Sequence, residues 1–327
     1  MTVHPFARHA DAVVELELTN DHSKRVRVED IRIVILDGDR TLRTDAPGKA
    51  FFDDAVFPRD RRIETTLTVA WRGVCLPDLP GKADRVRFDL DLSTRNGVRR
   101  QRRVQSHTVG LAPATAPVRL RLPFDGYWKV TQGHGCSTHH RTGGLGGEFA
   151  WDFAAIGETT GRVDGRLDQE RTFGAPILSP SNGLVVRVVE GVPDNIGLTD
   201  YPRRSMLDDL RRPEWIFGNF VVIELGKGAW VLLAHLQQDS ITVVEGQEVS
   251  AGQPIARGGN SGNTIEAHLH VQVMNGADPA DPATSGIPAV FVDYTEFTTV
   301  AGGTDKDIQA RSVAVGDPTE QSVVAPR

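Results

Sequence analysis

The sequence is poor in cysteine and contains no long apolar run. Cys75 and Cys136 are the only cysteines among 327 residues, and they are not spaced as a zinc knuckle. Two cysteines are too few for a disulfide framework. A single bridge between them is possible, but we expect two unpaired thiols. No stretch of about 18 apolar residues occurs, which argues against a membrane-spanning helix. The first residues also lack the basic and apolar regions of a secretion signal.

An excess of positive charge is also missing. The chain has 37 Lys and Arg against 43 Asp and Glu, and its net charge is -6. This balance argues against nucleic-acid binding as the main task. The local basic run from Arg99 to Arg103 is explained as the solvated end of a strand. Apolar residues make up 39% of the chain, which is enough to build a core, and the length allows two domains or one large one.

The first third of the chain alternates apolar and polar residues, as half-buried strands do. No helical period interrupts this pattern, and Asn96-Gly97 is a hairpin signal. The predicted strands are Val13 to Thr19, Arg25 to Leu36, Ile63 to Trp71, Arg85 to Ser93 and Val104 to Val109. These short strands predict an antiparallel β-sandwich accessory domain over residues 1–122. Its boundary is the Ala- and Pro-rich segment Leu111 to Leu122.

Residues 123–300 continue with strands and turns and form the second predicted domain. A strand pair is expected around Gly226-Lys227-Gly228. The polar insertion from Gly191 to Gly218 is long for a compact domain, so we expect it to border or cover a cleft. Residues 301–327 have little periodicity and are predicted to form a flexible tail.

Histidines and one aspartate of the second domain are the candidate functional residues. His268 and His270 lie two apart on a predicted strand, so both side chains face the same side of the sheet. Asp152 stands between Trp151 and Phe153, where burial is costly unless a positive group lies beside it. A metal shared with a histidine upstream would supply that charge, whereas an exposed strand position needs no partner. His235 ends an apolar run, which by itself is more typical of a structural histidine.

Several segments together resemble a known family. They are TH…EFAWDFA, GNFVVIEL…LLAHLQ, EGQEVSAGQPIARGGNSGNT and AHLHVQV. In this order they resemble the M23 (lysostaphin-type, LytM-like) zinc metalloendopeptidases. The resemblance covers roughly Asp125 to Asp293 and excludes the first domain and the tail. It implies that the second domain is an antiparallel β-sheet groove. Together with the N-terminal sandwich predicted from the strand pattern, this gives an all-β, mainly antiparallel protein.

The resemblance also implies roles for single residues. One zinc ion would be bound by His139 or His140, by Asp152 and by His270. His268 and His235 would act on water and on the developing oxyanion. The commonest family spacing, His-x3-Asp, is absent here. A looser variant with Thr-His before Ala-x-Asp-Phe fits Thr138-His139 and Ala150 to Phe153, so we favour His139 and keep His140 as the alternative.

The implied activity is zinc-dependent hydrolysis of peptide cross-links or stems of bacterial peptidoglycan. From the family we expect an extracellular or periplasmic location, although this sequence shows no signal segment. Two alternatives remain. Some family members have lost ligands and act as scaffolds or activators of other wall hydrolases, and a zinc hydrolase could act on another peptide, since fold does not fix function.

Overall fold

The structure is a computed structural model of the chain. No helix in the part of the chain that it describes is long and apolar enough to cross a membrane. The described residues are 2–5, 10–19, 26–46, 62–63, 68–76, 82–96, 99–111, 117–134, 140, 145–156, 171–196, 212–281, 283–299 and 308–327.

The chain forms two compact units, and the first contains Met1–Ala116 and Arg141–Gly143. Its strands are β1 (Thr2–Pro5), β2 (Ala10–Thr19), β3 (Val26–Asp37), β4 (Arg40–Asp45), β5 (Arg62–Ile63), β6 (Thr68–Leu76), β7 (Arg85–Asn96) and β8 (Arg99–Gly110).

Two antiparallel sheets make up the first unit. One has the order β1-β2-β6, and the other has the order β4-β3-β7-β8 with β5 paired to β3. In β3, Val26 and Val28, and after a register shift Ile31 and Ile33, are buried at alternate positions, as predicted. Asn96 pairs with Arg99 at the end where the hairpin was predicted. The side chains of β1, β2 and β6 lie outside the described residues, so the sandwich stays a prediction.

The second unit contains Pro117–His140 and Gly144–Arg327. Its strands and one described helix are β9 (Val118–Leu120), β10 (Trp128–Gln132), β11 (Trp151–Ala155), β12 (Pro176–Leu178), β13 (Gly183–Val189), α1 (Glu214–Phe217), β14 (Asn219–Gly226), β15 (Ala229–Leu236), β16 (Glu248–Val249), β17 (Pro254–Arg257), β18 (Leu269–Met274), β19 (Ala289–Thr299), β20 (Ile308–Gly316) and β21 (Val323–Pro326).

One large sheet organises this unit. Its strand order is β16-β13-β14-β15-β18-β11-β10-β21-β19-β20, with β9 paired to β19. Alternate residues of the central strands point to two different apolar clusters. Leu233 and Val271 belong to the main core, whereas Leu232 and Ala234 pack with Phe220 on the other face. Fold class is therefore all-β and mainly antiparallel, as the sequence predicts.

The turn between β14 and β15 explains why these two strands pair so tightly. Gly226 pairs with Ala229, so only two residues make the turn. Lys227 and Gly228 both have positive φ angles, 56° and 73°. This is the conformation of a type I′ hairpin, whose twist matches that of the flanking strands. The predicted strand pair around Gly226-Lys227-Gly228 is thus confirmed.

The end of the chain differs from the prediction. Residues 301–327 were expected to be flexible, but Ile308–Gly316 and Val323–Pro326 are strands of the large sheet. Strand β21 lies between β10 and β19, and Val324 is fully buried. The expectation was wrong because β20 is an edge strand with almost every side chain exposed, which leaves no alternation to detect.

The predicted boundary segment also contains a strand. Val118 to Leu120 pair with Ala289 to Phe291 in parallel, and Leu120 and Leu122 are buried in the main core. These residues therefore belong to the second unit, although the sequence prediction assigned residues up to 122 to the first domain.

We expect Val324→Ala to lower the free energy of unfolding of the second unit by about 2 kcal/mol, because it leaves a cavity beneath a central strand. Val323→Ala is the matched control, since Val323 is only partly buried on the neighbouring position of the same strand. Thermal and denaturant unfolding of both variants measure the difference. Equal losses for the two variants would contradict the central position of β21.

Candidate functional site

Asp152 and His270 face each other across two neighbouring strands. Asp152 of β11 is the direct partner of His270 of β18 in the antiparallel register. Side chains of such a pair project to the same face and stand close together. The Nδ1 atom of His270 lies 2.9 Å from Oδ1 of Asp152. Trp151 and Phe153, on either side of Asp152, point to the opposite face and are fully buried in the core.

His140 completes a group that could hold a metal ion. Its Nε2 atom lies 3.1 Å from Oδ2 of Asp152, and its ring centre lies 4.9 Å from that of His270. Among the described residues, His140, Asp152 and His270 offer ligand atoms that all lie within 4.8 Å of one another. His139, which we favoured from the sequence, lies outside the described residues. The structure thus brings the alternative, His140, to the site and describes nothing of His139.

Backbone carbonyl groups determine which nitrogen of His140 can act as a ligand. Its Nδ1 atom lies 3.2 Å from the carbonyl oxygen of Gly133 and 3.1 Å from that of Ala150. Carbonyl oxygens only accept hydrogen bonds, so Nδ1 carries the hydrogen. The lone pair of the neutral ring is then on Nε2 and faces the Asp152 carboxylate. Two acceptors in contact require a proton or a cation between them.

The electrostatics of the group favour bound positive charge. Burial raises the pKa of Asp152, but the three neighbouring imidazoles outweigh it, and the pKa lies well below its usual value. Burial lowers the pKa of His140, but the Asp152 carboxylate outweighs burial and the pKa is raised. Burial dominates at His270 and lowers its pKa. Asp152 is therefore ionised, and two imidazoles and a carboxylate are side chains that could hold a zinc ion.

A bulge in β15 turns His235 towards the same site. Leu233 and Leu236 both pack in the main core, so the two residues between them lie on the opposite face. The pairing register shifts there, since Val221 pairs with Leu233 and Asn219 with Leu236. His235 has a φ of 59°, a left-handed conformation that is unusual for a non-glycine residue. Bulges of this kind redirect side chains next to functional sites.

His235 and His268 form a second pair of imidazoles beside the first group. Their ring centres are 4.6 Å apart, and that of His235 is 5.8 Å from His270. Nδ1 of His235 lies 2.8 Å from the carbonyl oxygen of Ser261, and Nδ1 of His268 lies 2.9 Å from that of Glu266. Both rings thus carry hydrogen on Nδ1 and present Nε2 to the site. Nε2 of His268 lies 3.6 Å from Oδ1 of Asp152.

His235 is held in the neutral form. Burial, together with the rings of His268 and His270, keeps the pKa of His235 well below its usual value. The side chain of His268 is 18% exposed, so one face of this pair is open to solvent. A neutral, fixed imidazole with a free Nε2 lone pair can accept a proton from a bound water.

Two residues of the polar insertion support the loop before His268. The carboxylate of Asp194 accepts hydrogen bonds from the backbone N–H groups of Asn260 and Gln238, at 2.7 and 3.0 Å. The side-chain amide of Asn195 donates to the carbonyl oxygens of Gly262 and Thr264. The sequence predicted that the insertion borders a cleft, but it did not single out Asp194 or Asn195, since Asp and Asn are common in any polar turn.

Comparison with protein families identifies a known domain in the segment that contains most of these histidines. The sequence model of Peptidase family M23 matches residues 166–282. His235, His268 and His270 lie inside the matched segment, and His140 and Asp152 precede it.

Two curated relatives share parts of the sequence. Peptidoglycan DD-endopeptidase ShyA of Vibrio cholerae is 37% identical over 71 residues, which are 22% of this chain and 16% of the relative. Murein hydrolase activator EnvC of Escherichia coli is 29% identical over 145 residues, which are 43% of this chain and 30% of the relative. The chain thus spans less than a third of the length of these relatives.

Two solved structures share limited similarity with the chain. A zinc-containing peptidase from Vibrio cholerae has a TM-score of 0.32 at 19% identity, over 62% of this chain and 55% of that chain. The catalytic domain of lysostaphin from Staphylococcus simulans has a TM-score of 0.27 at 19% identity, over 50% of this chain and 84% of that chain.

The cofactor predicted from the resemblance agrees with the family and the site. Members of this family are zinc-dependent, and the group of His140, Asp152 and His270 could bind such an ion. Residues 166–282 thus form a domain that matches peptidase family M23, the family that the sequence predicted.

Proposed function

We propose that this chain is a zinc-dependent endopeptidase that hydrolyses peptide cross-links or stems of bacterial peptidoglycan. One observation carries the proposal: the nitrogens of His140 and His270 meet the two carboxylate oxygens of Asp152, with two further imidazoles alongside. A closed structural zinc site has four protein ligands, whereas a catalytic site has three and keeps a position for water.

In this proposal His140 binds zinc through Nε2, His270 through Nδ1 and Asp152 through its carboxylate. Bound zinc lowers the pKa of a coordinated water and polarises a peptide carbonyl. The hydrogen bonds to Gly133 and Ala150 orient the His140 ring so that Nε2 points at Asp152. This fixed orientation reduces the entropy lost when the ligands close around an ion.

His268 and His235 handle the proton in this proposal. Each ring donates its Nδ1–H to a backbone carbonyl oxygen, so that Nε2 is free to act as a base. A ring that has taken the proton from water becomes a donor at the same atom. It can then donate to the oxyanion that develops on the substrate or protonate the leaving amine. The low pKa of His235 makes it a weak acceptor and a strong donor once protonated.

The substrate class is supported by what the relatives are called. One is named a peptidoglycan DD-endopeptidase and the other a murein hydrolase activator. A peptidoglycan substrate implies that the protein acts outside the cytoplasmic membrane. The second name favours the alternative function, an activator without hydrolysis, but the presence of both imidazole pairs and the carboxylate supports an enzyme.

We expect the purified protein to bind one zinc ion per chain, and Asp152→Ala or His270→Ala to abolish this binding. Loss of an outer partner typically weakens metal binding about 10- to 100-fold, and loss of a ligand should exceed that range. Metal content by mass spectrometry and competition with a chromogenic chelator measure both.

His140→Ala and His139→Ala separate the two candidate ligands. If His140 is the ligand, its variant loses zinc like Asp152→Ala, while His139→Ala stays near the wild type. The opposite order would assign the role to His139. Zinc retained by both single variants would overturn a histidine ligand from this segment.

We expect His235→Ala and His268→Ala to keep zinc but to lose about 100-fold or more in the rate of cleavage of cross-linked wall peptides, because general acid–base groups typically contribute that much. Chromatography of peptides released from purified peptidoglycan follows the reaction. His107→Ala is the matched control, since His107 is exposed on β8 in the first unit.

The same assays distinguish the alternatives. Zinc binding with cleavage of other peptides but not of wall peptides would indicate a different substrate. A folded protein without zinc that stimulates another wall hydrolase would indicate an activator. Unchanged cleavage in both histidine variants would contradict the proton-transfer roles.

A further inference from the structure

Gln272 connects the proposed metal site to a neighbouring loop. It lies two residues after His270 on β18, so both side chains point to the same face. Gln272 is fully buried, and its amide makes two contacts. Its Nε2 atom donates to the carbonyl oxygen of Leu145 at 2.9 Å, and its Oε1 atom lies 2.8 Å from Nε2 of His270.

The Leu145 carbonyl fixes the orientation of this amide. A carbonyl oxygen only accepts, so it must face the NH2 end of Gln272. The reversed amide would place two acceptors together at 2.9 Å and would leave both unsatisfied in a buried position. The Oε1 end of Gln272 therefore faces His270.

The orientation of Gln272 in turn fixes the tautomer of His270. Because Oε1 only accepts, Nε2 of His270 carries a hydrogen, and the lone pair of the neutral ring is on Nδ1. Nδ1 lies 2.9 Å from Oδ1 of Asp152. Without Gln272 the opposite tautomer would donate Nδ1–H to the carboxylate, and a metal ion would have to displace that proton.

The glycine-rich segment before β11 holds the Leu145 carbonyl in place. Leu145 and Gly146 have φ angles of 59° and 75°. A Cβ atom on Gly146 would lie 2.8 Å from Cγ of Met274 and 3.2 Å from Nε2 of Gln272. Only glycine at position 146 therefore leaves room for the side chain of Gln272 to approach the backbone this closely.

We propose that Gln272 is a positioning residue: anchored by Leu145, it holds hydrogen on Nε2 of His270 and keeps the Nδ1 lone pair available to a divalent cation. The inference rests on the zinc site proposed above. A metal-ligating histidine commonly donates its other N–H to an outer acceptor, which orients the ring and raises ligand basicity. Here a buried amide would supply that acceptor in place of a carboxylate or a backbone carbonyl.

The tautomer of His270 is tested directly on the metal-free wild-type protein. Two-bond 15N–1H correlation spectra, with His270→Asn used for assignment, report which ring nitrogens carry hydrogen. We expect hydrogen on Nε2 of His270. A spectrum with hydrogen on Nδ1 alone would overturn the inference, and this measurement does not depend on the folding of any Gln272 variant.

The effect on metal binding is tested with Gln272→Met and Gln272→Glu. Methionine keeps the volume but removes the acceptor, so we expect zinc affinity to fall about 10- to 100-fold. Glutamate keeps an acceptor for Nε2–H but loses the donor to the Leu145 carbonyl. It should therefore lower stability, yet lose less zinc affinity than methionine and retain the wild-type tautomer. Chelator competition with zinc gives the affinities without reference to catalysis.

A matched control separates positioning from general destabilisation. Ser179→Ala removes a buried hydrogen bond to Ser181 away from the site, so it should lower stability but leave zinc affinity unchanged. Equal zinc affinity in wild type and Gln272→Met would overturn the role of Gln272 alone. A wild-type protein that binds no zinc would overturn the proposed function instead.

Discussion

The side chain of Asp152 is ionised and only 11% exposed, and the rest of the site compensates for its charge. An isolated buried carboxylate is costly, because the apolar surroundings replace none of its hydration. The register between β11 and β18 places His270 directly opposite Asp152, and His140 reaches the other carboxylate oxygen. Burial lowers the pKa of His270 and so opposes a second proton on its ring. A bound cation therefore balances the charge of Asp152 better than protonation of all the neighbouring imidazoles.

Each imidazole of the site is oriented by an acceptor outside the site. The backbone oxygens of Ser261 and Glu266 hold Nδ1 of His235 and His268, and two backbone oxygens hold Nδ1 of His140. The fourth ring, that of His270, has the opposite orientation, because its Nε2 atom contacts the side-chain amide oxygen of Gln272. Backbone carbonyls orient three of the rings, and a buried amide orients the fourth. The free nitrogens of the four rings therefore point to one place before any metal ion binds.

This arrangement depends on a β-bulge in β15. Two successive residues of β15 face the site, and His235 adopts a left-handed backbone conformation. Such a conformation costs on the order of 1–3 kcal/mol and persists where the surroundings determine it. Here the flanking Leu233 and Leu236 are both fully buried in the main core, which keeps the strand in place on each side of the bulge.

Much of the fold and part of the site were predictable from local patterns. Alternation of apolar and polar residues indicated β3 and β7, because a strand with one buried face must alternate. The turn residues Gly226-Lys227-Gly228 between two apolar runs indicated β14 and β15. The spacing of His268 and His270 predicted a shared face, and both rings do approach Asp152. The exposed edge strand β20 and the short strands β9 and β21 carry too little alternation to be recognised in this way.

The sequence by itself determined most of the strands, the all-β class and the shared side of His268 and His270, because these follow from the period of two along a single segment. Strand β18 itself begins one residue after His268, at Leu269. Only the tertiary structure decided that β11 lies beside β18, that the bulge turns His235 towards His268, and that Gln272 joins His270 to Leu145. These relations link residues as far as 127 positions apart. The physical reason is that strand neighbours and registers are selected by the packing of the whole core, which no local window of sequence contains.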